Sequence, residues 1–137
     1  MKQYIGTKIV QAEPMQRGGV DGIKDGYKVV YPDGYESWSP KDVFEAAYRA
    51  TDGMNFGLAI EAAKMGKRIA RAGWNGKNQY VELASCISYK NCAGEIVNVG
   101  HDAIGNKALA FVGTSGVQMG WMASQADMLA DDWKIVE

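Results

Sequence analysis

The sequence predicts an α+β fold: a small, mainly antiparallel β-sheet with two or three short helices. Three observations carry this reading. Seventeen glycines in 137 residues imply many turns and short strands. Stretches with apolar residues at helical spacing each follow a capping residue. The remaining β-rich runs are bounded by turn signals and do not alternate with long helices.

Turn-rich stretches at 18–26, 52–53 and 92–105 divide the chain. Residues 4–12 read as extended and 27–31 as β-rich, and Pro32-Asp33-Gly34 is a turn signal. In Trp38-Ser39-Pro40-Lys41-Asp42, Ser39 is the expected helix cap, Pro40 the first helical residue and Asp42 the capping-box acid. Val43, Phe44, Ala47 and Tyr48 form the apolar face of that helix. Asn55 opens a second helix, with Phe56, Ala59, Ile60 and Ala63 on one face and Gly66 at its end. Strands are expected at 67–71, 79–84, 107–112 and 117–121, with an Asn-Gly turn after Trp74 and another turn at Thr114-Ser115-Gly116. A short helix starts at Ser124, with Asp127 as a second capping-box acid, and 132–136 is a final strand. Met128, Leu129 and Trp133 are assigned to the core. Each half thus carries a hairpin, a tryptophan, a Ser–Asp cap and an apolar pair (Val43-Phe44; Met128-Leu129), a weak internal echo. The organisation expected is a strand–hairpin–helix segment over 1–53, packed on or preceding a core domain over 54–137.

Apolar residues make up 47% and charged residues 23%, an ordinary globular balance. Lys2 is followed by Gln3, Tyr4 and Ile5, then Gly6 and Thr7, which is no signal peptide, and no apolar run approaches the roughly 20 residues of a membrane span. The expectation is a soluble protein that stays in the cell making it. A net charge of -1 argues against a long nucleic acid as partner. Between residues 62 and 81, however, stand Lys64, Lys67, Arg68, Arg71 and Lys77 with no carboxylate. Charge alone favours a solvated helix end and strand edge; as a site, the run suits a small anionic ligand. Cys86, Cys92 and the single His101 have neither disulfide-scaffold nor zinc spacing.

The stretches Met54-Asn55-Phe56-Gly57, Lys67-Arg68-Ile69-Ala70-Arg71-Ala72-Gly73-Trp74-Asn75-Gly76-Lys77 and Gln79-Tyr80-Val81-Glu82 occur in order ahead of the run from Trp121-Met122-Ala123-Ser124 to Trp133. In these, 54–137 resembles the phage anti-defence family of the second Thoeris type. The first fifty residues resemble a leader segment of phage proteins. The resemblance implies a protein of the host bacterial cytoplasm that captures a cyclic ADP-ribose isomer (glycocyclic ADP-ribose) without cleaving it. It also implies a homo-oligomer, typically a tetramer, and in some members a separate pocket for cyclic dinucleotides. No cofactor is implied.

Such a ligand offers an adenine face, ribose edges and a pyrophosphate, and needs an aromatic platform, polar partners and cations or bare N–H groups. Trp74 and Tyr80 can stack on adenine, Asn75 can read an edge, and Arg68, Arg71 or Lys77 can meet phosphate. Gly76, like Gly73, permits close backbone approach. Trp74 is equally suited to covering a core edge, and Asn75 to forming the turn. If 67–71 is a strand, Arg68 and Arg71 point to opposite faces and only one serves a given site. Trp121, Ser124, Gln125 and Asp127 form a second cluster; Asp127 would repel phosphate there. Ribose or base contacts, or capping alone, remain for Ser124, Gln125 and Asp127. Asn106 lies in a Gly-flanked loop with His101 and Asp102 and is a further contact candidate.

An enzyme is not expected. The lone histidine rules out a multi-histidine site, and no GxxxxGK[ST] or GxGxxG loop is present. Asp127 and Asp131, at i and i+4, are a thin basis for a metal-dependent phosphodiesterase. A structural or protein-binding phage module is the other alternative.

Overall fold

The computed structural model describes residues 1–74, 78–98 and 107–137. Among them, twelve strands in antiparallel ladders and three helices make up the predicted α+β class. The chain divides into two compact units, Met1–Arg49 and Ala50–Glu137.

In the first unit, β1 (Gln11–Pro14), β4 (Gly26–Val30) and β5 (Glu36–Pro40) form a sheet in the order β1-β4-β5. A small hairpin of β2 (Arg17–Gly19) and β3 (Gly22–Lys24) is inserted between β1 and β4. The extended run expected from residue 4 begins only at Gln11: Tyr4 and Ile5 are exposed, so no burial fixes a strand there. Gly34, at φ 89°, takes the left-handed position of the Pro32-Asp33-Gly34 turn, and its N–H donates to the Tyr31 carbonyl.

Helix α1 (Lys41–Ala47) lies where expected, but its start differs. Ser39 is not the cap: it is part of β5, paired with Tyr27, and the helix is entered from Pro40 with no side-chain cap bond. The ladder has claimed the residue that local propensity would use as a cap. The apolar face is only partly used. Phe44 packs between Tyr27 (4.4 Å between ring centroids) and Tyr48 (4.8 Å), while Val43 is exposed. Gly26 is obligatory for a steric reason, because a Cβ there would collide with the Trp38 ring and the Ser39 carbonyl. Trp38 in turn donates its indole N–H to the Met15 carbonyl at 2.8 Å.

The second unit is a five-stranded sheet with order β11-β10-β7-β6-β12. Its strands are β6 (Arg68–Arg71), β7 (Tyr80–Ala84), β10 (Ala108–Gly113), β11 (Gly116–Met119) and β12 (Trp133–Val136). A second hairpin, β8 (Ser88–Lys90) with β9 (Ile96–Asn98), follows β7. Asn91 shapes its turn by accepting from the N–H groups of Ala93 and Glu95. The turn-rich reading of 92–105 did not resolve this hairpin.

Helix α2 (Phe56–Lys64) is capped as expected, the Asn55 side chain accepting from the Leu58 N–H at 2.8 Å. It buries Ala59, Ala62 and Ala63, side chains small enough to let the helix axis approach the sheet closely. Beneath it lie Ile69, Val81 and Trp133, each fully buried. These three share one sheet face because Ile69 pairs with Val81 and Ile135, and Trp133 lies two residues before Ile135. The outer edge of β12 is covered by the segment before α2. Met54 and Trp133 exchange backbone hydrogen bonds of 2.7 and 3.0 Å, and Ile135 donates to the Thr51 carbonyl.

Helix α3 (Gln125–Leu129) carries the capping box expected from sequence. Ser124 Oγ accepts from the Asp127 N–H at 3.1 Å, and Asp127 Oδ2 accepts from the Ser124 N–H at 3.0 Å. Met128 and Leu129, expected in the core, are exposed. A five-residue helix has little face to bury, and Trp133 contacts it through a backbone carbonyl instead, its indole N–H donating to Asp127 at 2.8 Å. With Ser39 uncapping and Ser124 capping, the two halves do not echo one another at this point.

The contrast gives a direct test. Ser124→Ala should cost about 1 kcal/mol, seen as a drop of roughly 4–8 °C in a thermal melt. Ser39→Ala should change stability by less than about 0.5 kcal/mol.

Candidate functional site

Strand alternation sorts the cations of the second unit. In β6, Ile69 and Arg71 fall on the face covered by α2, and Arg68 and Ala70 on the other. In β12, Trp133 and Ile135 face α2, leaving Lys134 and Val136 opposite, with Lys134 paired to Ala70 and Val136 to Arg68. Tyr80 of β7, one residue before the buried Val81, joins them on the second face.

These residues line an open cleft of about 520 Å³. Ala70, buried at 3% exposure, is part of its lining, while Arg68, Tyr80, Lys134 and Val136 supply charge, an aromatic face and apolar surface. The Arg68 guanidinium lies over the Tyr80 ring at 4.6 Å and 3.5 Å from a Glu82 carboxylate oxygen. Both side chains of that ion pair are well exposed, so solvent screens it and Arg68 is held loosely. Lys134 has no carboxylate partner among the described residues. Trp74, Asn78 and Gln79 extend the lining along the β6–β7 connection. Asn78 adopts φ 61°, a left-handed conformation that asparagine tolerates better than most residues.

Arg71 also borders the cleft, but its side chain is engaged elsewhere. Its Nε donates to Asp132 Oδ1 at 3.0 Å and its Nη1 to Asp127 Oδ1 at 3.1 Å. These bonds, the one to Asp132 foremost, raise the guanidinium's pKa further. Partial burial pushes the Asp127 carboxyl up. The Ser124 N–H and hydroxyl, followed by Arg71, outweigh that and hold it below the usual carboxylate range. Beside this ion cluster the indoles of Trp74, Trp121 and Trp133 meet edge to face at centroid distances of 5.5–6.2 Å, and Phe111 lies 5.4 Å from Trp74.

Of the residues expected at a site, Arg68, Arg71, Trp74 and Tyr80 line the cleft. Trp121, Ser124, Gln125 and Asp127 are not among its lining residues: Trp121 belongs to the indole cluster and Ser124 and Asp127 to the capping box. Asn75, Gly76, Lys77 and Asn106 lie outside the described residues. Lys134 was not among the residues expected at the site. Its signal was there: in a strand whose Trp133 faces the core, the next residue faces away. Which strand lies beside β12 is set by topology and is not written locally. Among the described residues no group of three or more His, Cys, Asp and Glu side chains could hold a metal ion, and no helix is long and apolar enough to cross a membrane.

Residues 54–136 match the family described as the Thoeris anti-defense 2-like domain. A protein named Thoeris anti-defense 2, from Bacillus phage SP01, is 38% identical over 88 residues, which cover 61% of this chain and 94% of that relative. The chain therefore belongs to the Thoeris anti-defense 2-like family.

The Asp127 arrangement gives the fold an acid-labile point. A carboxyl whose folded pKa is depressed contributes stability above its unfolded pKa of about 3.9, and that contribution is lost as pH falls through the folded value. Asp127→Asn should therefore melt below the parent protein at pH 7. The gap should close as pH is lowered below about 4 in a series of thermal melts.

Proposed function

We propose that this chain is a phage anti-defence protein that captures a cyclic ADP-ribose-type immune signal, glycocyclic ADP-ribose, and holds it without cleaving it. It would thereby keep the Thoeris effector from being activated. Membership of the family and the printed name of the SP01 relative support the anti-Thoeris role. The observation that carries the ligand reading is the cleft, where the Arg68–Tyr80 pair, Lys134 and Trp74 converge with the amides of Asn78 and Gln79. Tyr80 and Trp74 offer stacking surface, which contributes about 1–3 kcal/mol per base in nucleic-acid complexes. Arg68 and Lys134 supply charge for the pyrophosphate, and the Asn78 and Gln79 side chains can bond ribose or base edges.

Retention rather than turnover is supported by the position of Asp127, although Glu137 lines the cleft. Asp127, one of the two carboxylates on which a metal-dependent phosphodiesterase would rest, is held by Ser124 and Arg71 and is absent from the cleft lining. An open cleft of this kind encloses a nucleotide more fully when a second copy covers it, so the working form proposed is a homo-oligomer, a tetramer, in the host cytoplasm.

The test is to incubate the purified protein with glycocyclic ADP-ribose, remove unbound nucleotide, denature by heat and analyse what is released. Intact nucleotide in stoichiometric amount is the expected result. Linear product would instead make the protein a phosphodiesterase, and no recovery would remove the ligand assignment. Arg68→Ala and Lys134→Ala should each weaken binding about tenfold or more in calorimetric titration, because a hydrogen bond to a charged group contributes roughly 1.5–3 kcal/mol.

A further inference from the structure

Arg71 borders the cleft, yet its guanidinium is bonded to two carboxylates that belong to a different part of the chain. Both aspartates lie just ahead of Trp133 in the chain. Asp132 immediately precedes it, and the Asp127 carbonyl accepts its indole N–H at 2.8 Å. The backbone repeats the grip, since the Ala72 N–H donates to the Asp132 carbonyl at 3.1 Å. Trp74, two residues further on, bonds back to the Arg71 carbonyl at 3.4 Å and sets its ring 5.5 Å from Trp133 and 6.1 Å from Trp121. One cation against two carboxylates leaves this cluster net negative, a poor host for a phosphate.

We propose that Arg71 is a positioning residue: it binds no ligand phosphate, and instead fixes Trp74 at the cleft by locking the end of β6 to α3 and to the segment that leads into Trp133. As far as affinity is concerned, this rests on the ligand reading above. The planar guanidinium is required because it presents separate, fixed N–H groups to Asp127 and Asp132 at once, whereas a lysine ammonium is a single point charge on a flexible stem.

The direct-ligand role and the positioning role predict opposite effects for one variant. If Arg71 met phosphate, Asp132→Asn would free it and remove a competing negative charge, so binding would tighten. If Arg71 positions Trp74, Asp132→Asn breaks half the lock and binding weakens. The experiment compares the full chain with Arg71→Lys and Asp132→Asn, titrating each with glycocyclic ADP-ribose well below its melting temperature. In parallel, the 19F spectrum of 5-fluorotryptophan-labelled protein is recorded, with resonances assigned by single Trp→Phe changes. Expected are losses of about tenfold in affinity for both variants, the scale of losing one hydrogen bond to a charged group. The Trp74 resonance should shift or broaden in both, with that of Trp38 unmoved. Parent-like affinity in Arg71→Lys, equal or tighter binding in Asp132→Asn, or an unmoved Trp74 resonance would overturn the proposal. Should Arg71→Lys not fold, the sign of the Asp132→Asn effect decides. A parent protein that binds no nucleotide, while Trp74 still moves in both variants, would sink the ligand reading and leave the positioning role standing.

Discussion

The second unit depends on the burial of one side chain, Trp133. Its ring is fully buried under α2, its backbone N–H and carbonyl are both bonded to Met54, and it lies opposite Arg71 of β6 in the ladder. A buried indole is tolerated only if its N–H finds an acceptor; here the Asp127 carbonyl provides it, which fixes α3 against the end of the sheet. Replacing a buried aromatic of this size by alanine typically costs about 3–5 kcal/mol, a large part of the 5–15 kcal/mol that holds a domain together. Phe56, Trp74 and Trp121 all take their places from contact with this ring.

The strand alternation that buries Trp133 also decides which cations are free to work. Residues in step with it on β6 and β12 go to the helix-covered face, and residues out of step go to the cleft. Arg71, in step with Trp133, meets internal carboxylates; Arg68 and Lys134, out of step, face solvent beside Tyr80. Two arginines three residues apart thus carry different work. One stabilises a junction, and the other lies over the Tyr80 ring beside an ion pair that solvent screens.

Local signals were legible where local bonds decide the outcome. Asn55 and Ser124 cap helices because their side chains reach N–H groups three residues on, a geometry written in a few consecutive residues. The strands of the second unit were legible for the same reason, as β-rich runs between turns. What failed was competition. Ser39 has a capping sequence around it, but the ladder to Tyr27 holds its backbone in β5. Met128 and Leu129 look like core residues, yet α3 is too short to turn both inward. At the cleft, Arg68, Trp74 and Tyr80 were legible because one continuous segment carries them. Lys134 was not, because its place beside Ala70 comes from a pairing across more than sixty residues.

That long-range pairing also bears on how the chain is made. Residues are added to a growing polypeptide in order, and α2, β6 and β7 emerge well before the strand that completes their core. Until Trp133 has been synthesised, the buried faces of Ala59, Ile69 and Val81 have no indole to close over them. Non-local contacts of this kind form slowly, and the half-built sheet exposes apolar surface while it waits. Protection of these early elements from aggregation before β12 arrives is therefore one determinant of the yield of folded protein.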